Sequence, residues 1–336
     1  MTPALPWWSG TVIYQLIVRS YSDGNGDGTG DFKGLAARLP YLRWLGVNTL
    51  WLTPIYPSPL RDGGYDITDF TGIHPDLGDL ASFHRFLTAA HSQGMRVILD
   101  LVLNHTSDLH PWFQRARWAP KGSPERDVYV WSDDPKRYAE APVLFRHFEA
   151  SNWEWDPVAE QYYLHRFLRH QPDLNYENPW VQDTMLEVVD FWLDRGVDGF
   201  RLDAVPFLFE SEGTRCEGLP DTHAFLKRLR ERVDAHGRDV LLLGEAIQPV
   251  EEAAPYLADD VIIQAMNMGN YQKIDSLSNK KILRNIALDL GIPKEFSNRK
   301  KKGAQYGSGF DKAILRLAKK NGFKLKKRYI ESLMIE

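Results

Sequence analysis

The chain has 336 residues, 43% of them hydrophobic, and a formal net charge of −4 at pH 7, which together indicate a globular protein with a substantial core. Its single cysteine, Cys216, excludes an internal disulfide. No apolar run reaches membrane-spanning length and the first ten residues lack the basic start of a signal peptide, so we predict a cytoplasmic protein without a membrane partner.

Strand-like and helix-like segments alternate over the first hundred residues. The β-branched and aromatic runs at 11–18, 47–54 and 96–102 predict strands, and helical apolar spacing at 35–45 and 80–91 predicts the helices between them. This alternation predicts parallel βα units. In such units the functional groups stand at the carboxyl ends of the strands, as in a (β/α)8 barrel.

An acidic, glycine-rich loop follows the first predicted strand. Oxygen-bearing side chains recur at every second residue, so that one hard cation could be bound by Asp23, Asn25, Asp27, the Thr29 carbonyl and Asp31. An EF-hand would carry a bidentate Glu at position 34, where this chain has glycine. We predict a structural Ca2+ ion here and no organic cofactor; the alternative is an unliganded polar turn.

The alternation of strands and helices stops between residues 106 and 180. Five tryptophans occur in this stretch, at 112, 118, 131, 153 and 155, and seventy-odd residues are too many for a loop without structure of its own. We predict an inserted subdomain that forms one wall of the active site, although an aromatic core would also explain the tryptophans. A polar turn at 171–175, containing Gln171, could face the cleft.

The second half of the chain resumes the pattern. Helices at 181–195 and 221–236 are predicted to precede strands at 197–204 and 240–246, and 260–266 could form a sixth strand. The predicted domains are therefore the first barrel part (1–105), the insertion (106–180), the second barrel part (181–270) and a tail (271–336).

The tail differs from the rest of the chain in composition. It contains 17 Lys and Arg against 6 Asp and Glu, and 13 lysines against 4 in the first 270 residues. Two short amphipathic helices are predicted within it. We interpret it as a basic helical segment of different origin, such as a fused or misjoined reading frame; electrostatic binding of nucleic acid is the less favoured alternative.

Two carboxyl groups stand at the ends of different predicted strands. Arg201 and Asp203 are two residues apart, so their side chains leave the same strand face, and Glu245 ends the next strand. A neighbouring guanidinium would keep Asp203 ionised at neutral pH. Two such acids provide the nucleophile and the acid/base of glycoside cleavage, whereas a purely structural Arg–Asp pair is the alternative.

Further polar residues follow the second and third predicted strands. Tyr65 offers a flat apolar face for a pyranose ring, and Asp66 and His105 are groups that hold sugar hydroxyls. Taken alone, His105 is as readily explained as a structural histidine. Its position at a strand end is what makes it a candidate ligand contact.

Three of these segments resemble the signatures of the α-amylase superfamily, glycoside hydrolase family 13, and the resemblance extends over roughly residues 7–268. Residues 100–105 (DLVLNH) resemble its first signature, 199–204 (GFRLDA) its second and 244–246 (GEA) its third. The resemblance implies an α/β fold of the (β/α)8 TIM-barrel type. It also implies that Asp203 is the nucleophile, Glu245 the general acid/base, and Arg201, Asp66 and His105 the glucosyl-binding residues, with calcium in the 23–31 loop.

Finer motifs narrow the resemblance within that family. Residues 171–175 (QPDLN) resemble its oligo-1,6-glucosidase-like branch, which acts on short α-glucosides. Residues 58–62 (SPLRD), 204–206 (AVP) and especially 212–220 (EGTRCEGLP) resemble the trehalose synthases. The implied reaction is retaining cleavage of a short α-glucoside such as maltose through a covalent glucosyl-Asp203 intermediate. Freed glucose can then intercept that intermediate in place of water, which would isomerise maltose to trehalose. The expected partner is therefore a disaccharide or small oligosaccharide.

The resemblance has a gap towards the C-terminus. The family's fourth signature contains a histidine, and no histidine follows His236 in this chain. We therefore expect a barrel truncated after about six strands, and a chain that binds sugar without turning it over is the alternative function. Residues 299–309 (RKKKGAQYGSG) resemble the end of archaeal-type asparagine synthetase domains, which makes a synthetase-related protein the least favoured alternative.

Overall fold

A computed structural model of the chain describes residues 6–245 and Tyr256, all within one unit of the chain. The predicted sixth strand at 260–266 and the basic tail at 271–336 lie outside the described residues. Among the residues that are described, no helix is long and apolar enough to cross a membrane.

The described elements follow the predicted order. In chain order the strands are β1 (Ile13–Leu16), β2 (Thr49–Leu52), β3 (Arg96–Val102), β4 (Trp131–Ser132), β5 (Trp153–Asp156), β6 (Gln161–Leu164), β7 (Gly199–Asp203) and β8 (Leu241–Gly244). The α-helices are α1 (Phe32–Trp44), α2 (Leu80–Ser92), α3 (Pro111–Trp118), α4 (Pro179–Leu193) and α5 (Pro220–Asp234). The predicted barrel strands and helices begin and end within three residues of these bounds, and the predicted bounds of β3 are the observed ones.

Five strands form one parallel sheet in the order β1-β2-β3-β7-β8. The register of β3 and β7 pairs Asp100 with Arg201 and Val102 with Asp203, so both members of the predicted Arg–Asp pair lie beside the end of β3. Gly199 begins β7, where a Cβ atom would overlap the carbonyl oxygen of Leu241 in β8. Glycine thus permits the close approach of these two strands.

The helix starts are defined by side-chain caps. Asp31 caps α1 by accepting a hydrogen bond from the Gly34 N–H. The helix therefore begins at Phe32, three residues before the start that the apolar spacing predicted. Asp79 and Ser82 form a reciprocal capping box on α2. His110 and Asn178 cap α3 and α4, each with proline at the first helical position.

The core lies between the helices and the parallel sheet. Six of the seven β3 residues are buried, as expected for a central strand covered on both faces. The fully buried Trp192 of α4 packs edge-on against Tyr56 and Phe83 and donates a hydrogen bond to the Phe70 carbonyl at 2.9 Å. Its aromatic contacts join α4 to α2 and to the loop that follows β2.

A buried carboxylate locks β7 to β3 at the end of the sheet opposite the candidate site. Asp198 accepts hydrogen bonds from the Val97 N–H at 2.9 Å, from Arg96 Nη1 at 2.8 Å and from His91 Nε2 at 2.7 Å. Burial opposes ionisation of Asp198, but these three donors outweigh it and lower its pKa. The charge is therefore retained and helps to set the register of the two strands.

The segment between β3 and α4 contains its own sheet. Strands β4, β6 and β5 pair antiparallel in that order. Trp131 stacks on Phe113 with ring centroids 5.6 Å apart, and Trp153 is buried, so an aromatic core accounts for these two tryptophans. Trp118 and Trp155 are exposed and do not belong to that core.

Candidate active site

The guanidinium of Arg201 joins three carboxyl groups at the carboxyl end of the parallel sheet. Arg201 Nη1 donates to Asp203 Oδ1 and to Asp100 Oδ1, each at 2.5 Å, while Nη2 donates to Glu245. Asp203 and Glu245 therefore contact neighbouring nitrogens of one rigid, planar group. A shared guanidinium brings the two carboxyl groups to one place in the fold, and retaining glycosidases hold their two carboxyl groups about 5–5.5 Å apart.

Asp100 is a site residue that the sequence reasoning did not single out. It is buried in β3 and receives hydrogen bonds from Trp51 Nε1 at 3.0 Å and from the Tyr65 hydroxyl at 3.2 Å, in addition to Arg201. The sequence signal that could have identified Asp100 was an acidic residue inside an otherwise apolar strand. Its pairing with Arg201 depends on strand register, which the sequence does not state.

Opposing effects act on the ionisation of Asp203. Burial and the nearby charges of Asp100 and Glu245 raise its pKa, the charge of Arg201 lowers it, and together these effects raise the pKa to about 7. The guanidinium therefore offsets burial only in part. That Arg201 keeps Asp203 ionised at neutral pH stays a prediction.

Arg201 itself stays charged. Burial lowers its pKa, but the carboxylates of Asp100 and Asp203 outweigh that effect and raise it. The guanidinium also lies over two aromatic rings, with its Cζ 5.2 Å from the centroid of Trp51 and 5.9 Å from that of Tyr65. These contacts hold a cation in a fixed position beneath the acids.

Tyr65 and Asp66 lie on the loop that follows β2. The Tyr65 hydroxyl reaches Asp100, so this residue joins the Arg201 group directly. Asp66 is fully buried and accepts hydrogen bonds from the Ser58 hydroxyl at 2.8 Å and from the backbone N–H groups of Arg61 and Asp62. In this arrangement Asp66 fixes its own loop and, within the described part of the chain, forms no hydrogen bond or ion pair with Arg201.

His105, which follows β3, and Gln171 of the insertion contact each other. The two Nε2 atoms are 3.1 Å apart, and Gln171 also donates to Asp62 Oδ2 at 2.9 Å. Because Gln171 Oε1 accepts from the Leu168 N–H, its amide nitrogen faces His105. Burial lowers the pKa of His105 to about 3, so the imidazole is neutral and accepts at Nε2.

The backbone turns sharply after Asp203. Ala204 adopts a left-handed conformation with φ 54° and ψ 28°, which is costly for a residue with a Cβ atom. This turn ends β7 at Asp203 and leads into a short 3-10 helix at Val205–Phe207. Local strain of about 1–2 kcal/mol at a strand end is frequent where a functional side chain must be presented.

The 23–31 loop is compact and rich in oxygen donors. Asp23 accepts from the N–H groups of Gly26 and Gly28, Asp27 accepts from Thr29, and Asn25 Oδ1 accepts from Asp27. A Cβ at Gly34 would overlap the Ser22 carbonyl oxygen, which explains why no EF-hand glutamate can stand there.

The loop has the kinds of oxygen ligand that calcium prefers, but its acidic side chains do not point to one common position. Three carboxylates and one amide are ligands that Ca2+ prefers. Within residues 6–245 and Tyr256, however, no group of three or more His, Cys, Asp or Glu side chains is arranged to hold a metal ion. Both carboxyl oxygens of Asp31 accept hydrogen bonds, from the N–H groups of Gly24 and Gly34. Calcium binding here stays a prediction.

Two other acids, the buried Asp173 and the partly buried Glu210, have raised pKa values. Burial raises the pKa of Asp173 to about 8, although the Arg166 backbone N–H donates to its carboxyl group. Burial also raises the pKa of Glu210, and the nearby Asp173 adds to that rise. Neither acid was singled out from the sequence, because both stand in irregular segments without a periodic pattern.

With this geometry in hand, the chain can be compared with known proteins. The family model of the alpha-amylase catalytic domain matches residues 15–307. The chain belongs to the α-amylase family. The predicted α/β fold of the TIM-barrel type is thereby confirmed, and the predicted family resemblance with it.

Curated relatives within the α-amylase family share more than half of the aligned residues. The chain is 55% identical over 254 residues to the trehalose synthase of Pimelobacter sp. strain R48, covering 76% of this chain and 44% of that protein. It is 54% identical over 253 residues to the trehalose synthase/amylase of Mycolicibacterium smegmatis, covering 75% and 42%. The chain thus spans less than half the length of these relatives.

A solved family member supports the same assignment. The crystal structure of an alpha-glucosyl transfer enzyme superimposes with a TM-score of 0.67 at 40% sequence identity, covering 76% of this chain and 53% of that one.

The raised pKa of Asp203 predicts a pH-dependent stability. A carboxyl group whose pKa rises on folding favours the native state at low pH, and this contribution is lost as pH increases through about 7. Replacing Asp203 with asparagine removes the titration. We expect the Asp203→Asn variant to gain about 2 kcal/mol in unfolding free energy over the parent between pH 5 and pH 8.

Urea denaturation at the two pH values measures this difference. The exposed Asp194→Asn variant is the control and should follow the parent at both. An Asp203→Asn variant that is destabilised more at pH 8 than at pH 5 would show that the ion pair with Arg201 outweighs burial.

Calcium binding to the 23–31 loop can be tested by thermal unfolding. We expect calcium to raise the melting temperature of the chain by a few degrees relative to chelator, because an ion that binds only the native state stabilises it. The Asp27→Asn variant should lose most of this rise, since it removes one ligand charge while retaining an acceptor for the Thr29 N–H. An equal rise in both proteins would contradict the loop site.

Proposed function

We propose that the chain carries a retaining α-glucosyl site that acts on short α-glucosides such as maltose and passes the glucosyl group to a sugar hydroxyl or to water. The observation that carries this proposal is the shared guanidinium of Arg201, which binds Asp203 and Glu245 through neighbouring nitrogens. Membership of the α-amylase family and the trehalose synthase relatives support it.

The first chemical step forms a covalent intermediate. A carboxylate oxygen of Asp203 attacks the anomeric carbon of the bound glucosyl unit as the bond to the glycosidic oxygen breaks. Glu245 in its acid form gives its proton to that oxygen, and the second sugar leaves with a free hydroxyl. The products are a glucosyl ester on Asp203 and a Glu245 carboxylate.

The second step reverses the roles of these groups. A hydroxyl of glucose, or a water molecule, attacks the same carbon while Glu245 takes its proton, and the ester bond to Asp203 breaks. Two displacements at one carbon retain the α configuration. Glu245 can exchange protons with an incoming hydroxyl because its side chain is 45% exposed.

The surrounding residues suit this chemistry. Positive charge on Arg201 favours the ionised Asp203 that attacks, while burial of the group keeps it poorly solvated and reactive. Neutral His105 can accept a hydrogen bond from a sugar hydroxyl at Nε2 once Gln171 has moved away from that atom. Tyr65 would contribute its ring next to the glucosyl unit, and Asp66 would do so only after its loop contacts rearrange.

Transfer to glucose is the proposed outcome of the second step. Two relatives at 54–55% identity bear the name trehalose synthase, and a solved neighbour is described as an alpha-glucosyl transfer enzyme. Interception by glucose at its anomeric hydroxyl would convert maltose to trehalose. We also retain a cytoplasmic location as a prediction.

The proposal is tested with purified full chain and maltose. We expect release of glucose or trehalose, measured by anion-exchange chromatography, and covalent labelling by 5-fluoro-α-glucosyl fluoride on the peptide that contains Asp203. Asp203→Asn should lower kcat by about 10^3-fold or more, because it removes the carboxylate that forms the ester. The exposed Asp194→Asn variant should turn over maltose at the parent rate.

A sugar-binding chain without turnover is the second candidate function. It is favoured by one observation, that no histidine follows His236 and the family's fourth signature has no counterpart in this sequence. Calorimetry that detects maltose binding, together with no product and no covalent label, would support this candidate and contradict the enzyme proposal.

A further inference from the structure

Two Pro-Trp dipeptides begin helices, and the candidate active site uses neither. Helix α3 starts with Pro111 and Trp112, and α4 starts with Pro179 and Trp180. In each case the capping side chain, His110 or Asn178, accepts a hydrogen bond from the tryptophan backbone N–H. Each helix therefore presents an indole at its second position.

The two indoles meet at the edge of a cavity of about 300 Å3. Their ring centroids are 5.3 Å apart at an interplanar angle of 72°. Trp112 also packs on His110 and Phe70 and forms the wall of the cavity, whereas the side chain of Trp180 is 46% exposed. A large aromatic side chain left half in water at a concave site is typical of a binding surface.

The cavity also contains two unpaired charges. Arg115 and Glu125 line it, both are exposed, and neither side chain forms a hydrogen bond or ion pair with any other residue in the described part of the chain. A cation and an anion that do not pair with each other can both bind one neutral ligand. Such a ligand accepts a hydrogen bond from the cation and donates one to the anion. A strongly charged ligand would be repelled by one of the two.

We propose that this cavity binds an α-linked glucan chain. A pyranose ring has a flat face of C–H groups that would lie on the exposed ring of Trp180, and its hydroxyls both donate and accept hydrogen bonds, as Glu125 and Arg115 require. The choice of an α-glucan rests on the proposed function, because α-glucosides are its substrates. None of the lining residues belongs to the candidate active site, so the cavity is a separate, non-catalytic sugar site.

Affinity electrophoresis of the full chain in gels that contain a soluble α-1,4-glucan tests this proposal. We expect retardation of the parent, and about ten-fold weaker apparent affinity for the Trp180→Ala variant, which loses the ring while alanine keeps the helix start and its Asn178 cap. Trp118→Ala is the matched control, because Trp118 is 75% exposed at the end of α3 and does not line the cavity. This control should migrate like the parent.

Three results would overturn the proposal: equal retardation of Trp180→Ala and parent, an equal loss of affinity in Trp118→Ala, and equal retardation of the parent by a β-linked glucan. Turnover of maltose separates this test from that of the proposed function, since Trp180→Ala should leave maltose conversion unchanged. Loss of glucan binding on Trp180→Ala in a chain that never converts maltose would support the sugar site and contradict only the enzyme proposal. Circular dichroism of each variant verifies that it is folded.

Discussion

One buried guanidinium determines the arrangement of the candidate site. Arg201 is 6% exposed and binds Asp100, Asp203 and Glu245, which come from three different strands of the parallel sheet or their ends. Without this cation, three carboxylates could not remain together in a poorly solvated place, because each ionised acid would repel the others. With it, the two acids needed for glycoside chemistry contact one rigid, planar group.

The same arrangement explains why the site is costly to the fold. A single positive charge offsets only part of the combined negative charge, so burial raises the pKa values of both Asp100 and Asp203. Cation–π contacts with Trp51 and Tyr65 and the strained turn at Ala204 add to a local structure that serves chemistry more than stability. By contrast, Asp198 at the opposite end of the sheet has three donors and a lowered pKa, as a structural acid should.

Sequence reasoning was most accurate where a residue's role follows from local pattern. The alternation of strands and helices predicted the parallel units, because each element must bury one apolar face. The two-residue spacing of Arg201 and Asp203 predicted that they share a face, as their contact requires. Gln171, in the turn that could face the cleft, is fully buried and contacts His105; whether that turn faces a sugar stays a prediction.

Properties that depend on several elements of the fold at once could not be predicted from the sequence. The pairing of Asp100 with Arg201 follows from strand register, and the raised pKa of Asp203 follows from burial by the whole fold. Asp31 was predicted as a calcium ligand on spacing alone, yet it caps α1, which the same spacing could not distinguish. The acids Asp173 and Glu210 lacked any periodic signal because irregular segments carry them.

Double displacement by Asp203 and Glu245 at a shared guanidinium has a stereochemical consequence. Proton NMR of the first glucose formed from α-glucosyl fluoride detects it, because the anomeric signal is read before mutarotation. We expect glucose to appear first as the α anomer. Initial formation of the β anomer would show a single displacement by water and would contradict double displacement.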